Sequence, residues 1–168
     1  MNEAEIEFYI PRIEELAYRK QLLADPSTME YNLGYGDNPD SGCLTFDESN
    51  WQKWYEVWFN TKERYYPYIL IKSREQFIGE VALRFNKDLD AYCISIIIEA
   101  KYRHFGYGKT ALKKLIDIAF KELEVDKVYD EFSKNRVEAE KLFSDLGFRR
   151  VSKNIVELTR DRYLNKII

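Results

Sequence analysis

Ala91-Tyr92-Cys93-Ile94-Ser95-Ile96-Ile97-Ile98-Glu99, running on without a break into Ala100-Lys101-Tyr102-Arg103-His104-Phe105-Gly106-Tyr107-Gly108-Lys109, is the stretch that decides the fold. Its first nine residues, short, apolar and rich in β-branched side chains, read as a strand. After Gly108 the period changes, and Leu112, Leu115, Ile116, Ala119 and Leu123 fall on one face of a helix. Between the two lies a glycine-bearing turn at the mouth of that helix. The first amides of a helix have no internal acceptor, and the aligned peptide dipoles place roughly +0.5 of a charge there. A phosphate suits such a place. Gly106 and Gly108 carry no side chain to block it, and Arg103 and Lys109 can add charge-assisted hydrogen bonds. His104, the one histidine, is read as a backbone donor in this turn rather than as a base. The turn is not a P-loop, for G-x-x-x-x-G-K-[ST] is absent, and it lacks the glycine spacing of a dinucleotide fingerprint. Alone, R-x-x-G-x-G also fits a plain strand-to-helix turn.

Upstream, residues 66–72 and 77–85 read as two strands joined by Ser73-Arg74-Glu75-Gln76, and Asn86-Lys87-Asp88-Leu89-Asp90 turns the second into residues 91–99. Three consecutive strands predict an antiparallel meander. Ser49 and Gln52 are spaced as a capping box for a helix whose Trp51, Trp54, Tyr55, Trp58 and Phe59 form a wide aromatic stripe, suited to pack on a sheet or to wall a pocket. Residues 31–46 hold three glycines and Asn38-Pro39, a composition for a loop. Its length favours a binding role. Ile6, Phe8 and Ile10 alternate as a first strand, and Pro11 opens a helix that Asp25-Pro26 closes. Downstream, 127–129 is a short strand, a helix carrying Ala139, Leu142, Phe143 and Leu146 stops at Gly147, and 148–151 and 155–159 are closing strands.

The 168 residues are 45% hydrophobic and 33% charged, with charges intermixed, which predicts one domain spanning residues 1–168. A net charge of −3 argues against nucleic acid and for a cationic or amine-bearing substrate. Cys43 and Cys93 lack metal-ligand spacing, so no metal is expected. The acidic start, Met1-Asn2-Glu3-Ala4-Glu5, has no signal-peptide pattern, and no apolar run approaches a bilayer span. The expectation is a cytoplasmic protein with no membrane partner.

Arg103, Gly106 and Gly108 match [QR]-x-x-G-x-[GA] after a central strand, and Asn135 followed by Leu142-Phe143-Ser144-Asp145-Leu146-Gly147-Phe148 matches an Asn before a helix ending L-[YF]-x-x-x-G-F. Two motifs in this order resemble the GNAT acetyltransferase superfamily over nearly the whole chain. The segment Ala24-Asp25-Pro26-Ser27-Thr28-Met29-Glu30-Tyr31 looks like the branch of ribosomal-protein N-terminal and aminoglycoside acetyltransferases. The resemblance implies an α/β fold, with a mostly antiparallel twisted sheet flanked by helices and splayed between its fourth and fifth strands. It further implies acetyl-CoA as co-substrate, its pantetheine arm paired with the backbone near Ile96 and Ile98. The amides of His104, Phe105, Gly106, Tyr107, Gly108 and Lys109, with Arg103, would hold the pyrophosphate, and Asn135 would face the cofactor, with Phe143 packed either on the cofactor or in the core. A homodimer is implied as well. Two departures stand out: many members carry tyrosine, a general acid, where this chain has Phe143, and Asn135 lies one residue further from that position than the pattern expects.

Acetyl transfer to an amine needs a neutral nucleophile. A lysine-like amine of pKa about 10.4 lies about 3.4 units, or about 4.6 kcal/mol, from neutrality at pH 7. A base is therefore expected. Glu80, in an otherwise apolar strand, is the first candidate, unless it faces solvent on the sheet's polar side; Glu99 is the second, and Tyr92 and Ser95 are candidates to orient a water. The expected reaction is direct attack by a primary amine, of a small molecule or a protein N-terminus, on acetyl-CoA in a ternary complex. A catalytically silent CoA-binding module, or an interaction domain docking through the aromatic helix, are the rival readings.

Overall fold

The computed structural model describes residues 5–167, with side chains to residue 165, so residues 1–4 of the acidic start lie outside it. In chain order the first half forms β1 (Glu7–Tyr9), α1 (Leu16–Ala24), α2 (Pro26–Met29), α3 (Trp51–Phe59), β2 (Arg64–Tyr65), β3 (Tyr68–Ile71) and β4 (Gln76–Asn86). The second half forms β5 (Ala91–Ile98), α4 (Tyr107–Asp117), β6 (Lys127–Glu131), α5 (Val137–Leu146), β7 (Arg149–Arg150), β8 (Ile155–Thr159) and α6 (Arg160–Ile167). One eight-stranded sheet runs β1-β3-β4-β5-β6-β8-β7, with β2 also on β4. Every pairing is antiparallel except β5 with β6. The expected meander is β3, β4 and β5.

The period of two along β4 divides the molecule into layers. Val81 and Leu83 point to one face, where they meet Ile94 and Ile98 of β5 and Ala111, Leu112, Leu115 and Ile116 of α4. Burying each such leucine or isoleucine contributes about 1.5–3 kcal/mol. Glu80 and Ala82 point to the other face, where Ala82, Tyr66 and Tyr68 are covered by Trp54, Trp58 and Phe59 of the aromatic helix. The stripe therefore packs on the sheet, as its spacing suggests.

Sequence and structure differ at the element ends. Ile13–Glu15 forms a 3-10 turn, and α1 begins only at Leu16. The Ser49–Gln52 capping box does not form: Asp47 accepts from the Ser49 amide at 2.9 Å and caps a 3-10 turn that leads into α3. A carboxylate two residues earlier is the stronger acceptor and sets the start. The helix α6, too polar to announce itself, is anchored by Tyr163, whose ring packs 5.0 Å from Phe120. Cys43 and Cys93 are free thiols.

Only Tyr92 with Val128 and Cys93 with Tyr129 pair β5 to β6. Beyond them β5 continues to Ile98 and β6 to Glu131, the latter paired with β8 alone. Along β1, β3, β4, β5 and β6 these are the fourth and fifth strands, which is where a splay is expected.

Candidate active site

The gap between β5 and β6 is lined by hydrogen-bonding backbone. The Glu99 amide donates to the Ile78 carbonyl at 3.0 Å. The β4–β5 register is unbroken from Gly79↔Ile98 to Asn86↔Ala91, so alternation turns the main chain of Ile97, Ser95 and Cys93 toward β4 as well. The main-chain groups of Ile94, Ile96 and Ile98 then point the other way, into the gap. The Ile98 carbonyl accepts from Arg103 Nε at 3.2 Å, which leaves its amide and both groups of Ile96 to face an extended ligand.

At the wide end of the gap stands the glycine turn. His104 and Gly106 adopt positive φ, 66° and 86°, and Gly106 caps α4. The first intrahelical hydrogen bond is Thr110 N–H to the Gly106 carbonyl at 3.1 Å, so the amides of Tyr107, Gly108 and Lys109 precede it. A Cβ built on Gly106 meets nothing within 4 Å. Glycine is demanded there by backbone conformation, and the space beyond it is open to a ligand. Phe105 is 69% exposed at the rim. These amides, the helix dipole and the open volume fit a diphosphate.

Arg103 corrects the sequence reading. Its guanidinium does not project toward the turn's amides but clasps the α2 segment, donating to the Thr28 carbonyl, to the Ser27 carbonyl at 3.4 Å and to Glu30 at 3.3 Å. Lys109 remains at the exposed surface, 3.4 Å from Asp145. Of the two places expected for Phe143, cofactor or core, the structure shows the core: 3% exposed, it sits between Phe132 and Phe148, with ring centroids at 5.3 and 4.9 Å. Asn135 lies exposed in the loop before α5, its amide donating to Ser133 Oγ at 3.3 Å.

Glu80 does not face solvent. It is 5% exposed on the aromatic face, where Arg19 donates to one carboxylate oxygen and the Tyr66 hydroxyl to the other. The Arg19 guanidinium is itself 4.9–5.3 Å from the rings of Phe46, Trp54 and Tyr66. Burial opposes the charge on Arg19, but Glu80 more than restores it and holds the group above its ordinary pKa. Burial and Glu80 together push the Tyr66 phenol well up. Glu99 is likewise engaged, accepting from the Tyr18 hydroxyl at 2.8 Å and facing Lys101 Nζ at 2.7 Å. Tyr92 and Ser95 do not converge on one water: three residues apart on a strand, they point to opposite faces, Tyr92 into the α4 layer and Ser95 out beside Ala82.

Two residues not singled out in sequence, Asp130 and Arg136, lie where β6 leaves β5, with Tyr31 of the 31–46 loop beside Arg136. Asp130 lies on β6 between buried Val128 and Phe132, the first residue past the last β5 pair. Burial pushes its carboxyl up to about 6, against the Glu131 amide that donates to it at 2.8 Å and the Arg136 guanidinium. Arg136 stands 5.1 Å over the Tyr31 ring and 5.9 Å over Phe132. Tyr31 is 38% exposed, and burial, then Glu80, pushes its phenol up. The sequence signal for Asp130 is faint, because three of the five residues of β6, Lys127–Glu131, are charged, and a strand over 127–129 does not include it.

The sequence matches a family model described as an acetyltransferase (GNAT) domain over residues 11–149. It has no significant match among curated proteins. Among solved structures it is similar to the spermidine N-acetyltransferase of Vibrio cholerae in complex with CoA and spermine, with TM-score 0.76, 16% identity and coverage of 95% of this chain and 98% of that one. It is similar also to an acetyltransferase of the GNAT family from Bacillus anthracis, with TM-score 0.69, 12% identity and coverage of 93% and 94%.

Proposed function

We propose, on the ground that this chain belongs to the acetyltransferase (GNAT) family, that it moves the acetyl group of acetyl-CoA to a primary amine of a small cationic molecule by direct attack in a ternary complex. The single observation that carries the reading is the continuity of donors from the amides of Tyr107–Lys109, over the open space beyond Gly106, to the unpaired main chain of Ile96. A pyrophosphate at the helix mouth and an extended amide-bearing arm along β5 would satisfy both ends at once. When bound, acetyl-CoA supplies the activated thioester; the chain's own residues bind it, orient it and handle the proton.

The small amine is favoured by the acidic chain and by the spermine held in the Vibrio cholerae structure. The loop of residues 31–46, whose length favours a binding role, helps to wall a cavity of about 690 Å³ that includes Lys20, Cys43, Phe46, Asp47 and Glu48. Phe46 also lies against Arg19, so this cavity adjoins the Arg19–Glu80 pair. A cytoplasmic homodimer completes the reading, and light scattering tests the dimer. No described helix is long and apolar enough to cross a membrane.

Titration calorimetry of acetyl-CoA into the wild type and into Gly106→Glu tests the cofactor site. The variant places a negative side chain where the diphosphate would sit and at a positive φ that only glycine adopts freely. Micromolar binding by the wild type and at least a hundredfold loss in a folded variant is the expected result. No binding by the wild type would sink the reading. Thiol release with spermidine, an aminoglycoside and a short peptide then ranks the acceptors.

A further inference from the structure

Glu80 and Glu99 each hold a cationic side chain and a tyrosine hydroxyl. Asp130 is different: among the described residues its carboxylate accepts one hydrogen bond, from the Glu131 amide, and forms no ion pair within 4.0 Å. Its place is fixed by register. Cys93 is opposite Tyr129 in the last parallel pair, so Asp130 is level with Ile94, where the gap closes. An arm entering from the glycine turn and following β5 from Ile98 toward Ile94 has roughly 13 Å before the strands rejoin. Whatever group it carries at its deep end lies level with Asp130.

The geometry points to Asp130 as the residue that carries the proton from the acceptor nitrogen to the sulfur of coenzyme A. This rests on the transferase reading above. The amine arrives neutral, having left one proton to solvent. Its lone pair forms the C–N bond with the thioester carbonyl carbon, and the nitrogen becomes cationic and acidic. The Asp130 carboxylate takes that proton. When the tetrahedral centre collapses, the C–S bond breaks with its electron pair on sulfur, and Asp130 returns the proton to the thiolate. Acetylamide and free thiol result, with the carboxylate restored. One carboxyl thus serves both ends of the step, and the phenylalanine at position 143 leaves no duty unfilled.

The groups around Asp130 suit this cycle. Arg136 and Glu131 on its own segment oppose one another, and the Cys93 thiol of β5 is pushed up by burial and then by Asp130, so it stays neutral. Burial brings the carboxyl to about 6, close to working pH, where a general acid–base group is most effective.

The test uses the full chain, acetyl-CoA and the same amine panel, with thiol release as the rate. Asp130→Asn is expected to lower kcat about 100-fold or more, leave acetyl-CoA affinity unchanged and remove the acidic limb of the kcat–pH profile near 6. Asp130→Glu retains part of the rate. A purely structural residue would change affinity or folding and leave that limb in place. Carbon-13 NMR of the wild-type aspartate carboxyls, assigned by the signal lost in Asp130→Asn, should show titration near pH 6. The proposal is overturned by a variant within threefold of wild type that keeps the limb, or by a carboxyl titrating below pH 4.5. A wild type inactive on every amine removes the transferase reading and this proposal with it; an active wild type beside an unaffected variant overturns this proposal alone.

Discussion

At Asp130 the carboxyl's upward shift has a consequence for folding. The folded protein binds this proton more tightly than the unfolded chain, whose aspartates titrate near 3.9. Linkage gives the sign: the stabilisation is fully present below about pH 4 and is lost as pH rises through about 6. Above that, a half-buried charge opposes folding by at most about 3 kcal/mol for a two-unit shift. Asp130→Asn, which cannot ionise, is therefore expected to be about 1–3 kcal/mol more stable than wild type at pH 8 and equal to it at pH 4. Urea unfolding at the two pH values measures this, and a variant weakened at both would contradict it. At this scale the sequence was informative about residue type and poor about direction. Gly106 was legible because positive φ at a helix mouth calls for glycine. Arg103 was misread because a motif states which residue is present and not where a long flexible side chain turns.

Periodicity made most elements legible, since a strand's two-residue and a helix's 3.6-residue repeats survive in the sequence. The meander and the aromatic helix are examples. Ends were not legible, because caps depend on which neighbouring acceptor wins, as Asp47 does over Ser49. The joining of distant elements was hidden as well. Thr28 of α2 is fully buried, donates to its cap Asp25 at 2.5 Å and accepts from the Ala100 amide at 3.0 Å, while Arg103 clasps the same segment from the glycine turn. Hydrogen bonds from Thr28 and Ser27 hold the Asp25 carboxyl below its usual range. Thus α2 and the approach to the phosphate turn are a single hydrogen-bonded unit. Thr28→Val keeps the volume and removes the hydroxyl, which strands the Ala100 amide at a cost of about 1–3 kcal/mol. The expected outcome is that loss by urea unfolding together with weaker acetyl-CoA binding, because the turn loses an anchor. Unchanged stability would show that water replaces the hydroxyl.

For the whole molecule, function follows from a sheet that stops pairing partway along one strand. The fold class was open to sequence reading because the order of strands and helices constrains a sheet to few topologies. The depth of the splay was not, for it depends on where β6 leaves β5, and Val128 and Tyr129 look no different in sequence from residues that stay unpaired. Its signature is an alternation along β5. The amides of Cys93, Ser95 and Ile97 are turned to β4, and those of Ile96 and Ile98 to the gap. Hydrogen exchange resolved by residue should therefore respond to acetyl-CoA in a comb. Ile96 and Ile98 should become protected along with Tyr107, Gly108 and Lys109, while Ser95 and Ile97, already bonded to β4, gain only the general protection that any ligand confers on the folded state. A uniform gain over all of β5 would mean global stabilisation without an arm in the gap. Protection confined to Tyr107–Lys109 would place the diphosphate at the helix mouth and the rest of the cofactor elsewhere. The comb alone requires both the register of β4 with β5 and an extended ligand running beside it.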